Sequence, residues 1–170
     1  MASTRDTARD RDFTAYVVAR RDRLYRTAYL LCGGDAHRAE DVVQQALTKL
    51  YGAWARVSRL DSVDAYARRV VVNAHLDDTR RPWRRERSVG DAVPERSASS
   101  GVSTEDSDAL WTALRGLAPG QRRVVVLRHY LGLSVDETAA DLGIGPGTVK
   151  SQTSAALALL RAALTDGASR

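Results

Sequence analysis

Cysteine occurs once in the 170-residue chain, at Cys32, so neither an intramolecular disulfide nor a cysteine-based zinc cluster can form. That usage suits a reducing, cytoplasmic setting. Lysine is nearly as scarce, at Lys49 and Lys150 alone, so the rest of the 26 basic residues behind the formal net charge of +5 are arginines. Arginine's fixed fork of donors suits phosphates and guanine edges, although a positive surface also serves solubility. No run approaches the ~18 consecutive apolar residues that cross a bilayer. The N-terminus, with Arg5, Asp6, Arg9, Asp10, Arg11 and Asp12, lacks a signal peptide's apolar stretch. Export and membrane insertion are not expected. There is no strand-forming alternation, internal repeat, Gly-rich phosphate loop or nucleophile elbow. His37, His75 and His129 lie in separate segments, and Asp77-Asp78 beside His75 reads as a solvated acidic pair. Neither a metal, a cofactor nor catalysis is expected.

What is present is helical periodicity. Phe13, Tyr16, Val17, Leu24, Ala28 and Leu31 recur at three- and four-residue steps, predicting a helix that Gly33-Gly34 ends. Asp35 is a candidate N-cap for a second helix, with the stripe Ala39, Val42, Val43, Ala46, Leu47, Leu50, Tyr51 and Trp54. After a loop over Ala55 to Ser62, a third helix is expected from about Val63 to Arg80, carrying Tyr66, Val70, Asn73 and Ala74 and stopped by Pro82. Between Ser88 and Ser107 the periodicity gives way to serine, glycine, proline and four acids, Asp91, Glu95, Glu105 and Asp106. Such a composition cannot bury enough surface to hold a fold, so this is the expected flexible linker and domain boundary. Periodicity resumes with Leu110, Leu114 and Leu117, breaks at Pro119-Gly120, and returns through Val124, Val125, Leu127 and Tyr130. The fold class is therefore all-α, with two small helical domains.

The most informative window runs from Leu133 to Leu160. Ser134 can cap a short helix whose N3 residue, Glu137, completes a capping box. Ala139 is small enough for a close helix approach, Gly143 can supply a left-handed turn, and Val149 can plug the core from a second helix. Pro146 falls at or near the first position of that helix, where its missing N–H costs nothing. The first turns then offer Thr148, Lys150, Ser151, Gln152 and Ser154 to a DNA groove, as in a helix-turn-helix. A simple helical hairpin shares the glycine turn, but not the convergence of cap, plug and polar face.

Two further features are less specific by themselves. Arg80, Arg81, Arg84, Arg85 and Arg87 crowd around Trp83, which suits a phosphate backbone and a stacked base, or equally a solvated basic helix end. Asp41, Gln44, Gln45 and Lys49 form a polar face on the second helix, which alone indicates only solvent.

With these residues in hand, the chain resembles the group-four, extracytoplasmic-function (ECF) bacterial sigma factors of the sigma-70 family from Phe13 to Leu164. The resemblance rests on AEDVVQQALTKLY (39–51), DAYARRVVVNAHLDDTRR (64–81) and LRHYLGLSVDETAADLGIGPGTVKSQ (127–152), in that order. It implies a sigma-2 domain at 10–87, a linker at 88–107 that threads through RNA polymerase, and a sigma-4 domain at 108–165. It implies core RNA polymerase as partner, through the β′ clamp helices and the β flap, with Asp41, Gln44, Gln45 and Lys49 at the clamp. Gln45 stands where the family has glutamate. The resemblance further places a flipped base of the −10 element in the loop of Val57, Ser58, Arg59, Leu60, Asp61 and Ser62. Arg68, Arg69 and Asn73 would follow along the single strand, and Arg80, Arg81, Arg84 and Arg85 on upstream phosphates. Flipping costs a few kcal/mol of unstacking, which AT-rich or pre-melted sites reduce. In the sigma-4 match Thr148, Lys150, Ser151, Gln152 and Ser154 face the −35 element, with Arg122 and Arg123 gripping the backbone ahead of it. The family commonly has arginine where this chain has Gln152 and Ala155, leucine at Thr153, and a capping serine at Gly145. An anti-sigma factor that binds both domains is a further implied partner. Ending soon after Leu164, the sequence is expected to carry no C-terminal regulatory domain.

A two-domain helix-turn-helix regulator that binds duplex operator without polymerase shares the C-terminal window. Co-elution with core polymerase separates the two readings.

Overall fold

The computed structural model describes residues 2–81 and 104–168, all of it helix, turn or irregular chain. Trp83, Arg84, Arg85, Arg87 and most of the expected linker lie outside the described residues. Contacts divide the chain into two units, the first of Met1–Tyr29 with the segment from Ala36, the second of Leu30–Asp35 with the C-terminal helices.

α1 spans Ala2–Leu31, of which the residues up to Tyr29 belong to the first unit with α2, Ala36–Val57, and α3, Val63–Arg80. α1 begins eleven residues before Phe13, in a stretch whose polar composition hid it. Tertiary contacts hold that stretch in place. The Tyr51 hydroxyl donates to Asp10 Oδ1 at 2.7 Å, the Trp54 indole N–H donates to Asp12 Oδ2 at 2.9 Å, and the Arg9 guanidinium lies 4.4 Å from the Tyr51 ring centre. Phe13 meets Tyr51 and Trp54 edge to face at 5.1 and 5.2 Å, the geometry aromatic quadrupoles favour.

The α2 stripe is the spine of this unit. Ala39, Val42, Val43, Ala46, Leu50, Trp54 and Val57 are buried, facing Ala67, Val71, Val72 and Ala74 of α3. A Leu50→Ala change would cost about 2–5 kcal/mol from lost burial and the cavity left behind. Asp78, expected as half of a solvated pair, is instead fully buried near the end of α3. Arg38 donates to its Oδ2 from Nε and Nη2 at 3.3 and 3.2 Å, which fastens the start of α2 to the end of α3.

The second unit comprises α4 (Thr104–Gly116), α5 (Pro119–Val125), α6 (Val135–Leu142) and α7 (Pro146–Ala168). α4 opens inside the stretch read as linker. Ala113, Leu114, Leu117, Val125, Ala156 and Leu160 form a buried cluster joining α4, α5 and α7. After α5 the chain makes a π turn, Val126–Tyr130, in which the Leu131 N–H reaches the Val126 carbonyl at 3.0 Å. The extra residue in that turn rotates the helix face. Tyr130 thus leaves the apolar stripe that Val124, Val125 and Leu127 keep, and is 48% exposed.

Candidate nucleic-acid and partner interfaces

The C-terminal unit closes on a helix-turn-helix made by local chemistry. Ser134 Oγ accepts from the Glu137 N–H at 3.1 Å, and the Glu137 carboxylate accepts from the Ser134 N–H at 2.8 Å. This reciprocal cap satisfies two otherwise unpaired donors, and a cap of this kind contributes about 1 kcal/mol. α6 ends at Gly143 with φ 65°, a left-handed conformation that only glycine adopts without strain. Ala139 and Val149 are buried where the two helices meet. The Gly145 carbonyl accepts from the Val149 N–H at 3.1 Å, so Gly145 occupies the capping position of α7 without a side chain to cap it.

On α7, Thr148, Lys150, Ser151 and Ser154 are exposed. The Ser151 hydroxyl donates to its own helix at the Thr148 carbonyl, at 3.1 Å. Gln152 is half-buried, its amide within van der Waals reach of the space beside Gly120 at the start of α5. Arg122, expected on the DNA backbone, is half-buried and engaged within its own unit. Its guanidinium donates to the carbonyls of Leu114, Arg115 and Leu117 at 3.1, 3.2 and 3.2 Å, so it closes the C-terminal end of α4. Arg123, beside it, is half-buried.

In the N-terminal unit, the α2 face opposite the buried stripe carries Asp41, Gln44 and Gln45. Gln44 is exposed, whereas Asp41 and Gln45 are half-buried. Gln44 Nε2 donates to Glu40 Oε1 at 3.4 Å, and the same carboxylate oxygen pairs with Arg21 of α1. Lys49 stands at the edge of this face and donates to Asp77 of α3 at 3.0 Å.

The turn between α2 and α3 is held at both ends. Val57, expected among the base-contacting residues, is the last residue of α2 and is fully buried, so it anchors the turn from below and cannot itself touch a base. Ser58, Arg59, Leu60, Asp61 and Ser62 are exposed. Ser62 Oγ caps α3 by accepting from the Ala65 N–H at 3.2 Å. Arg56 donates to the Tyr66 hydroxyl at 3.2 Å across the mouth of the turn. Asp64, in the first turn of α3, accepts from the Tyr16 hydroxyl at 3.0 Å and from Arg20 at 3.2 Å. Burial, and then the bond to Asp64, raise the Tyr16 hydroxyl well above the ordinary tyrosine range. The bond to Asp10 raises Tyr51 likewise. These clasps join residues far apart in the chain and leave no periodic signal, so sequence reasoning missed them.

Along α3, Arg69, Asn73, Asp77 and Arg80 are exposed at steps of four, four and three, one stripe on one helix face, with Arg68 half-buried beside it and Arg81 exposed just past the helix. Among the described residues no group of three or more His, Cys, Asp or Glu could hold a metal ion, and no helix is long and apolar enough to cross a membrane.

A helical unit with a basic-and-amide stripe, joined in sequence to a second unit closing on a helix-turn-helix, defines a two-part reader of DNA. Residues 16–85 match the family model for sigma-70 region 2, and residues 107–160 that for sigma-70 region 4. The RNA polymerase sigma-E factor of Streptomyces avermitilis is 43% identical over 155 residues, covering 88% of this chain and 83% of that protein. The ECF RNA polymerase sigma factor SigL of Mycobacterium tuberculosis is 34% identical over 151 residues, covering 84% and 83%. Among solved structures, the sigma factor RpoE of Bartonella quintana, in complex with the anti-sigma factor NepR, superposes with a TM-score of 0.70 at 24% identity, covering 91% of this chain and 97% of that one. CnrH, in complex with the cytosolic domain of CnrY, gives 0.60 at 25% identity, covering 92% and 90%. The chain belongs to the sigma-70 family of RNA polymerase sigma factors, in its ECF group.

Proposed function

We propose that this sigma factor acts in the cytoplasm, without catalysis of its own, by docking on core polymerase through α2 and dividing promoter recognition between its two units. Asp41, Gln44 and Gln45 engage the β′ clamp helices, and the second unit also meets the β flap. The exposed turn of Ser58 to Ser62 receives a flipped −10 base. Arg68, Arg69 and Asn73 follow the separated strand, and Arg80 and Arg81, with Arg84 and Arg85 beyond the described residues, hold upstream phosphates. Extracting a base is favoured where neighbouring stacking is weak, so the turn begins the bubble. Thr148, Lys150, Ser151 and Ser154 read the −35 duplex, with Arg123 on its backbone and Gln152 at the edge of the surface.

The observation that supports this reading most is the division of exposed polar residues. The N-terminal unit exposes a polar face on α2, a short turn after it and an arginine stripe on α3, while α7 of the other unit exposes polar residues in its first turns. An anti-sigma factor, as bound to RpoE of Bartonella quintana, is a further partner, since such a protein would compete for these faces.

Run-off transcription with core polymerase and fragmented genomic DNA tests the proposal. Discrete transcripts that depend on the chain are expected. Failure to co-elute with core polymerase, together with binding to duplex DNA alone, would establish an ordinary helix-turn-helix regulator instead.

A further inference from the structure

Every residue of the turn from Ser58 to Ser62 is exposed, so the turn sends no side chain of its own into the core to fix its pose. Its conformation is set at its two ends. On the α2 side the Ser58 N–H donates to the Trp54 carbonyl at 2.9 Å and the Leu60 N–H to the Val57 carbonyl at 3.0 Å, and on the α3 side Ser62 caps the helix. One side chain from outside the turn meets both ends. The Tyr16 ring of α1 lies 5.1 Å, centre to centre, from the Trp54 ring in the last turn of α2. Its hydroxyl donates at 3.0 Å to Asp64 Oδ1 in the first turn of α3. Arg20, one turn further along α1, donates to the same oxygen at 3.2 Å. Trp54 is buried and is itself held by α1, through its indole N–H to Asp12 at 2.9 Å. α1 thus grips both flanks of a turn to which it contributes no residue.

We propose that Tyr16 is a positioning residue for this turn, holding the end of α2 and the start of α3 at the separation in which Ser58 to Ser62 accept a flipped base, with Asp64 as its anchor. The inference rests on the −10 reading above. Taking a base out of its stack already costs free energy. A receiving turn that had also to order itself would lose affinity to its own conformational entropy, which a turn fixed in advance avoids. Tyr16 acts through geometry and not through contact with DNA, because its hydroxyl is committed to Asp64. The pose of the turn decides how well the right base fits. It has little bearing on phosphate contacts along α3, which are independent of sequence. The effect of Tyr16 therefore falls on discrimination between bases.

The test uses the full chain on core polymerase and single-stranded −10 oligonucleotides from a promoter recovered by run-off transcription, with each base replaced in turn. The quantity read is the ratio of affinities for the original and the replaced strand at the most discriminating position. Tyr16→Phe keeps the ring against Trp54 and removes only the hydroxyl. It should lower that ratio several-fold while affinity for the replaced strand hardly changes. Asp64→Ala should lower the ratio at least as far, and adding Tyr16→Phe to it should cost little more, since the bond is already gone. Tyr51→Phe removes a like bond, to Asp10 at 2.7 Å, away from the turn and should leave the ratio unchanged. If Tyr16→Phe leaves the ratio as Tyr51→Phe does, the bond serves stability alone and the proposal is overturned. It is overturned equally if Tyr16→Phe costs as much in the Asp64→Ala background as in the parent, which would place Tyr16 on the DNA itself. Replacing Arg59 and Asp61 together by alanine reports on the turn. A loss of the ratio there with none in Tyr16→Phe overturns the positioning role only, whereas no loss in either overturns the −10 reading.

Discussion

Lys49 and Asp77 form an ion pair at 3.0 Å that ties the edge of the α2 polar face to the exposed stripe of α3. Between two exposed side chains such a pair contributes only about 0–1 kcal/mol to stability. Its electrostatic effect matters more, because Asp77 is the one acid in a stripe otherwise made of Arg69, Asn73 and Arg80. Lys49→Ala should therefore weaken binding to single-stranded −10 DNA several-fold while core affinity changes by less than about twofold. Asp77→Asn in the same chain should restore it. Filter binding of the holoenzyme, with a promoter found by run-off selection, measures both. A loss confined to core binding would instead return Lys49 to the polymerase surface.

Gln44 is exposed on α2 and supports no core packing. Gln44→Arg is expected to lower core-polymerase affinity about tenfold or more, equivalent to about 1.4 kcal/mol, with helix content unchanged. Size-exclusion co-elution and circular dichroism read the two quantities. Unchanged co-elution would remove α2 from the clamp contact.

Arg122 and Arg123 are adjacent in sequence but should behave oppositely. Arg122→Ala leaves the carbonyls at the end of α4 without their shared donor, and should destabilise the protein by about 1.5–3 kcal/mol, the range for a hydrogen bond to a charged group. Its DNA salt slope should not change. Arg123→Ala should reduce that slope by about one. Urea titration paired with a fluorescence-anisotropy salt series on duplex DNA distinguishes them.

The buried Arg38–Asp78 pair should be costly to break and cheap to replace. Asp78→Ala removes the fully buried carboxylate to which the half-buried Arg38 donates and should cost about 1.5–3 kcal/mol. The double change Arg38→Met with Asp78→Leu should cost far less, since neither charge is then left unpaired. Urea melts of the two variants against the parent give the comparison.

Tyr16 gives a pH signature. Its folded-state value is raised above the unfolded value of about 10. Its contribution to stability is thus fully present below pH ~10 and is lost as pH climbs toward the folded value. Between neutral pH and pH ~9.5 the difference in stability between parent and Tyr16→Phe should be constant. Above pH ~10 the parent should lose that advantage, while the variant titrates without it. A constant difference across the alkaline range would show that neither burial nor the bond to Asp64 perturbs Tyr16.

How much was legible in the sequence follows the range of each interaction. The helix-turn-helix was read correctly because its determinants act within a few residues. Ser134 and Glu137 cap each other across one turn, Gly143 sets its own φ, and Pro146 starts α7 through its missing N–H. The buried stripe of α2 was equally readable, since a 3.6-residue period is written along the chain. The polar start of α1 was not, because Asp10 and Asp12 join the helix through Tyr51 and Trp54, some forty residues away. Tyr130 left its stripe because a π turn changed the period within the helix. By itself, then, the sequence determined two all-helical units, a DNA-reading motif and the family. The tertiary structure decided which of the candidate side chains are available to DNA or polymerase. Arginines and acids are alike in sequence whether they meet solvent, DNA or a neighbouring helix end, and only their position in space shows that Arg122 closes α4, Val57 lies in the core and Lys49 neutralises Asp77.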